Sequence, residues 1–254
     1  MTDPTQRPVV LITGAGGAIG RSTAQRFLTG GYRVALADID ITTAEMTVKE
    51  LGADARSAYG LELDVTSEDS IVRALDNLMN RWGRLDAAHN NAGITTSGPL
   101  THTYEKAAFD LTLNVDLVGV WLCMKHEIAA MLEQGHGAII NTASIAAHIG
   151  YKEASAYAAA KHGVLGLTRT AAVEYGGMGL RVNAVSPGPV QTPMLEASFA
   201  RRPPGTKEWY LDNTPMRRFA TSMEIANAVF WLASTEASFV NGHCLAVDGG
   251  WTAK

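Results

Sequence analysis

Apolar residues in this chain follow two rhythms. Short runs rich in Val, Ile, Leu and Ala alternate with longer stretches in which apolar positions recur every three or four residues. The short runs are continuous, as strands buried on both faces require, and the long ones suit helices with one face turned to water. The pattern predicts strands over 9–13, 33–37, 57–63, 85–90, 137–142, 180–185 and 244–247, with helices between them. The expected fold is α/β: one domain, doubly wound, with a seven-stranded parallel sheet covered by helices on both faces. Two of the helical stretches, 104–133 and 155–175, are long. They carry small residues such as Ala129, Ala130, Ala158, Ala159, Ala160 and Gly163, which predicts close helix packing, including packing between subunits.

One segment breaks the rhythm. Residues 191–218 contain four prolines and read poorly as regular structure, so they are expected to form a substrate lid set into a core of 7–190 and 219–250. No repeat, low-complexity run or linker divides the chain.

Bulk composition narrows the function classes. With 254 residues, of which 46% are hydrophobic, the chain can bury a sizeable core. A net charge of −4 and a pI near 6.0 give no broad electrostatic reason to expect nucleic acid or an anionic membrane as partner. The start of the chain lacks a basic segment leading into a secretory apolar stretch, and no run approaches the roughly 18 apolar residues of a membrane span, so a cytoplasmic protein is expected. Cys123 and Cys244 are too few for a disulfide framework and read as buried packing residues. The seven histidines show no ligand spacing, and no protein-bound metal is expected.

Candidate chemistry lies in YAAAK, where Tyr157 and Lys161 stand one helical turn apart with Ser144 thirteen residues upstream of the tyrosine. Side chains at i and i+4 share a face, and a close ammonium favours the ionised form of a phenol. The second candidate is TGAGGAIG at 13–20, directly after the first strand. There backbone amides and the positive end of a helix can face a pyrophosphate. Its glycines, Gly14, Gly16, Gly17 and Gly20, depart from the usual GxGxxG spacing. Asp38 ends the second strand eighteen residues after Gly20, near the spacing at which a carboxylate accepts hydrogen bonds from an adenosine ribose. It would repel a 2′-phosphate, and its neighbour is Ile39 rather than a cation, so NAD is the expected cofactor.

Together with LDV at 63–65, NNAG at 90–93, Asn114 and PGPVQTPM at 187–194, these marks resemble the short-chain dehydrogenase/reductase family, and the resemblance runs from about Arg7 to Gly250. Ala18 is the one departure. The resemblance implies a Rossmann-type fold and a cofactor site that also takes in Ala18 and Ile19 of the loop. It further implies that Asp64 and Val65 contact the adenine, that Asn90 and the backbone through Ala92 and Gly93 line the adenosine side, and that Pro187, Gly188, Val190 and Thr192 hold the nicotinamide. Tyr157 would be general base or acid, Ser144 would hold the substrate oxygen, and Lys161 would also bind the nicotinamide ribose. Asn114 would hold a water linking Lys161 to solvent. A homotetramer is implied as well.

The substrate pocket is expected to be bounded by Thr95, Ser144, Ala146, His148, Met194, Leu195 and Trp209, with Phe199 and Tyr210 nearby. This mostly apolar wall favours a small secondary alcohol or ketone over a phosphorylated sugar. His148 can be read as reaching a second substrate oxygen or as facing solvent. Arg201, Arg202, Arg217 and Arg218 can be read as holding an acidic substrate or as a solvated surface. NTAS at 141–144, AKHGVLGLTR at 160–169 and the CLAVDGGWTA ending resemble bacterial dehydrogenases of alicyclic alcohols and dihydrodiols. Two other readings stand beside this one: a 3-oxoacyl thioester reductase, and a nucleotide-sensing protein without catalysis.

Overall fold

The computed structural model of the protein describes residues 7–94, 98–200 and 202–253, without the Met194 side chain. Seven strands, β1 (Val9–Thr13), β2 (Arg33–Asp38), β3 (Ala58–Glu62), β4 (Ala87–Asn90), β5 (Gly137–Thr142), β6 (Leu180–Pro187) and β7 (Cys244–Val247), make one sheet in the order β3-β2-β1-β4-β5-β6-β7. Every pairing is parallel. The continuous apolar runs have the predicted cause, because successive side chains of a strand enter opposite cores. On β1, Val9 and Leu11 join one core while Val10 and Ile12 join the other.

Helices α1 (Ala18–Thr29), α2 (Ile41–Glu50) and α9 (Ser222–Ala233) lie on the Val10 side, where α1 packs against α9. On the other face lie α3 (Glu68–Trp82), α4 (Lys106–Leu113), α5 (Gly119–Gln134) and α6 (Ser155–Tyr175). A π-turn over Asn114–Val118 joins α4 to α5, in which the Gly119 amide donates to the Asn114 carbonyl. The predicted stretch 104–133 is thus one long helix. Contrary to the expectation, 106–134 is long and apolar enough to cross a membrane. Its burial explains the composition: Val120, Cys123, Met124, Ile128 and Met131 sit in the core beneath the sheet.

The 191–218 segment also differs from expectation. It holds two helices, α7 (Pro193–Phe199) and α8 (Thr206–Asn213). All four prolines fall at helix boundaries, where they do no harm: Pro193 opens α7, Pro203 and Pro204 separate the helices, and Pro215 follows α8.

Candidate active site

The order of strands reverses between β1 and β4, because β1 leads to β2 on one side and β4 lies on the other. Such a reversal opens a crevice at the carboxyl ends of the strands. The loops after β1, β4, β5 and β6 carry TGAGGAIG, NNAG, Ser144 and PGPVQTPM respectively.

The glycine loop is shaped by its missing side chains. Gly14 has φ 63°, and a Cβ on it would lie 2.9 Å from the Ala92 Cα. A Cβ on Gly16 would strike Thr43 Cγ2 at 2.1 Å. The Gly16 amide donates to Asp38 Oδ2 at 3.0 Å, so the acidic end of β2 borders the loop. Gly17 caps α1 without a side chain to occupy its amides, and the first turn, with Ala18 and Ile19, has no acidic residue. An N-terminus built this way fits a pyrophosphate. Asn91, which sequence reasoning passed over, fixes the loop to NNAG. Its Nδ2 donates to the carbonyls of Thr13 at 3.1 Å and Gly14 at 3.2 Å, while Thr13 Oγ1 accepts from the amides of Asn91 and Ala92.

Other predicted cofactor residues have mixed placements. Asp64 folds onto its own turn, accepting from the Thr66 amide at 2.9 Å, and Val65 is buried where a Cβ on Gly119 would meet it. The Asn90 side chain is turned into the core, donating to Glu127 Oε2 at 2.9 Å and Asn141 Oδ1 at 3.1 Å. Its Nδ2 therefore serves the core, while its Oδ1 is buried without a hydrogen-bond partner. The Gly188 amide donates to Val247 O at 3.0 Å, which draws Pro187 and Gly188 against β7, and Val190 bridges to Ala220. Thr192 Oγ1 accepts from the Leu195 amide at 3.2 Å and caps α7.

Tyr157 and Lys161 meet as their spacing predicts, with the Lys161 Nζ 5.5 Å from the centre of the Tyr157 ring. Lys161 is 3% exposed, and its Nζ donates to the Thr142 carbonyl at 3.1 Å. Thr142 is held in turn by His89, whose Nε2 lies 2.9 Å from Thr142 Oγ1. Burial pushes the His89 pKa down to about 3, so this contact is neutral. Ser144 has extended backbone just past β5. Its Oγ accepts from the Ala146 amide at 3.2 Å, which leaves the hydroxyl proton for another acceptor.

Sequence reasoning passed over the acid that faces Lys161. Asn114 is exposed, and the residue facing the lysine is Asp116, which is 0% exposed. Its Oδ1 accepts from the Ile94 amide at 2.7 Å, while Oδ2 lies 3.8 Å from Lys161 Nζ without a hydrogen-bond partner. Burial raises the Asp116 pKa, and the Lys161 charge and the Ile94 amide oppose that rise. Helical period explains the difference. Asn114 aligns with exposed Val118, Trp121 and Lys125, whereas Asp116 aligns with buried Val120, Cys123 and Glu127. An acid in the middle of the apolar stretch LTLNVDLVGVWL was the available signal.

At the substrate end, Ile145, Tyr210 and Trp251 form a third apolar cluster with Ile149, Tyr151, Phe199 and Phe219. Ala146 is buried and Leu195 partly so, while Trp209 is half exposed and packs edge-on against Tyr210 and Trp251. Thr95 lies outside the described residues, as does the Met194 side chain. His148 is exposed and its Nε2 lies 3.6 Å from Cys244 Sγ on β7, so the ring engages the sheet edge. Cys244 is only partly buried, unlike Cys123. Of the arginines, Arg217 pairs with Asp212 and Arg218 grips Glu224 through both nitrogens, at 2.9 and 2.6 Å, so these two belong to the charged surface. Arg201 lies outside the described residues.

The chain is similar to known proteins over nearly all of its length. A family profile described as enoyl-(acyl carrier protein) reductase matches residues 14–252. A 2,5-dichloro-2,5-cyclohexadiene-1,4-diol dehydrogenase of Sphingobium indicum is 40% identical over 246 residues, covering 96% of each chain. The crystal structure of levodione reductase superposes with a TM-score of 0.91 at 38% identity, covering 97% of this chain and 98% of that one. A xylitol dehydrogenase solved with NAD+ bound superposes with a TM-score of 0.90 at 30% identity, covering 96% and 98%. The chain therefore belongs to the short-chain dehydrogenase/reductase family, whose members named here are dehydrogenases and reductases acting on CH–OH groups.

Proposed function

We propose that this protein is an NAD-dependent dehydrogenase that interconverts a small, mostly apolar secondary alcohol, alicyclic and in some cases a diol, with its ketone. The observation that carries this reading is the placement of Lys161, which lies under the Tyr157 ring and donates to the Thr142 carbonyl at the carboxyl end of β5, two residues before Ser144. A bound nicotinamide accepts or supplies the hydride. Ser144 donates its free hydroxyl proton to the substrate oxygen and holds it against Tyr157, which takes the proton in oxidation and returns it in reduction. Lys161 places its positive charge 5.5 Å from the centre of the Tyr157 ring, and Asp116 with Thr142 fixes that ammonium in place. Asp116 acts through the lysine and is a positioning residue.

The preference for NAD rests on Asp38, whose carboxylate borders the loop, and on Ile39, which is 68% exposed where a cation would be needed for a 2′-phosphate. Arg21, which donates to the Gly16 carbonyl at 3.4 Å, is paired with Glu50. The alicyclic substrate class is supported by the apolar cluster around Tyr210 and by relatives that act on a ring diol and on levodione. A homotetramer is part of the proposal. Leu117, Val118, Trp121, Gly163, Gly166 and Leu167 line an apolar groove between α5 and α6, a surface suited to a second copy. The cytoplasm, where thiols such as Cys123 and Cys244 stay reduced, is the proposed location.

Turnover of cyclohexanol and cyclohexanediols with NAD and NADP, followed at the absorbance of the reduced cofactor, tests the reading. Selective turnover with NAD is expected, and replacing Asp38 with Ser together with Ile39 with Arg should move the preference toward NADP by at least about tenfold. Turnover of a 3-oxoacyl thioester with NADPH, and of no ring alcohol, would replace it with the thioester reductase.

A further inference from the structure

The third apolar cluster, which begins at Ile145, holds a pair of phenols. Tyr151, in the segment between Ser144 and Tyr157, donates its hydroxyl proton to the Tyr210 hydroxyl on α8 at 2.5 Å. The pair is packed within the third apolar cluster, among Ile145, Ile149, Phe199, Phe219 and Trp251. Ile145 follows Ser144 directly, which sets the cluster beside the residue that receives the substrate oxygen. The Tyr157 phenol is close enough for its charge to act on Tyr151.

Proton accounting decides what this pair can do. Two phenols carry two hydroxyl protons, and the bond between them uses one. Burial, with the neighbouring Tyr210, holds Tyr151 in its protonated form far above the neutral range, so the pair does not gain a charge. With Tyr151 donating, the Tyr210 proton has no acceptor among the described residues, and Tyr210 is buried at 7% exposure. A buried donor without an acceptor is unfavourable, and a ligand oxygen would satisfy it. Arg202 adds to the polarity of this end. Its positive charge acts on Tyr151, and its Nε is buried without a partner. A positive field favours an electron-rich acceptor oxygen.

We propose that the Tyr151–Tyr210 pair is a specificity subsite, in which Tyr210 donates to a second oxygen on the substrate ring, remote from the carbon that exchanges hydride. The preferred substrates are then rings bearing two oxygen functions, such as a 1,4-diol or a hydroxyketone, rather than monofunctional cyclic alcohols. The site rests on the dehydrogenase reading above, and it places recognition of the far oxygen on the lid, so that a doubly oxygenated ring would tie α8 to the segment after Ser144.

The test compares kcat/KM for 1,4-cyclohexanediol and cyclohexanol in the full-length wild type, Tyr210→Phe and Tyr151→Phe, with NADH binding measured as a check of the fold. Loss of one hydrogen bond to a neutral acceptor predicts that in Tyr210→Phe the ratio of kcat/KM for the diol to that for cyclohexanol falls roughly two- to tenfold, with NADH affinity retained. In Tyr151→Phe the same diol-selective loss is expected, since Tyr210 then lacks the partner that orients it. Equal losses on both alcohols, or no loss on the diol, would overturn the subsite while leaving the dehydrogenase reading intact. A wild type that binds NADH but oxidises neither alcohol would overturn the functional reading and the subsite with it. Should Tyr210→Phe fail to bind NADH, Tyr151→Phe decides by the same criterion.

Discussion

Two buried carboxylates on one helix, Asp116 and Glu127, show how the same chemical group can be compensated in two ways. They stand eleven residues apart, three helical turns, on the face turned to the sheet, and both are 0% exposed. Burial raises the pKa of each. Asp116 has a backbone amide on one oxygen and an ammonium 3.8 Å from the other. Among the described residues no cation pairs with Glu127. One oxygen accepts from the Asn90 amide at 2.9 Å, which opposes the rise, and the other has no hydrogen-bond partner; burial still pushes the pKa up to about 7. A charge answers the first acid and a dipole the second. The group held by charge sits at the crevice, and the group held by a dipole sits deeper among Asn90, Asn141, Thr168 and Met124. The Asp116 carboxylate offsets part of the Lys161 field and the remainder reaches Tyr157, whereas the amide that answers Glu127 has no net charge to apply.

Three changes bear on this contrast. The largest effect belongs to Tyr157→Phe, which should reduce kcat by roughly a hundred- to ten-thousandfold while leaving NADH binding nearly intact. Adding Asp116→Asn to that variant should cost nothing more, because Asp116 acts only through Lys161 and the phenol. A further loss in the double variant, read by steady-state kinetics, would give Asp116 an independent role.

Glu127→Gln should change stability and leave kcat alone. The folded-state pKa of Glu127, about 7, lies above its unfolded value of 4.5. The native state therefore binds more protons between these values, and stability falls as pH rises through that window, levelling off above it. The loss at pH 8 relative to pH 4 is on the order of 3 kcal/mol for this group. Urea unfolding at both pH values should show that the variant lacks this component and is the more stable protein at pH 8. An unchanged slope of stability against pH would mean that Glu127 is ionised in the native state.

The smallest effect is expected from Asp116→Asn, which keeps the shape and removes the charge. With the carboxylate gone, the Lys161 ammonium acts on Tyr157 unopposed, and the pH profile of kcat/KM should move to lower pH with kcat changed by only a few-fold. A profile that stays in place while Tm drops would reduce Asp116 to a purely structural contact.

Much of the fold was legible because it depends on local pattern. Strands buried on both faces leave continuous apolar runs, and three of the seven, Val9–Thr13, Gly137–Thr142 and Cys244–Val247, have the bounds that the pattern predicts. Tyr157 and Lys161 were legible because helical spacing alone brings them to one face. The 191–218 segment misled because proline punctuates helices as well as breaking them, and only the ends of α7 and α8 distinguish the two. Asn90 misled for a different reason. Its place in NNAG fixed the backbone, but the partner of its side chain is Glu127, thirty-seven residues away.

The succession of strands and helices, the glycine turn and the tyrosine–lysine pair follow from the conformational limits of residues close together in the chain. Long-range packing alone sets Asp116 against Lys161, brings Thr142 and His89 to support that lysine, and joins Tyr151 to Tyr210. Those contacts join segments that the chain keeps far apart. Their partners are selected by the rotation of each helix against the sheet, which depends on how both cores pack at once.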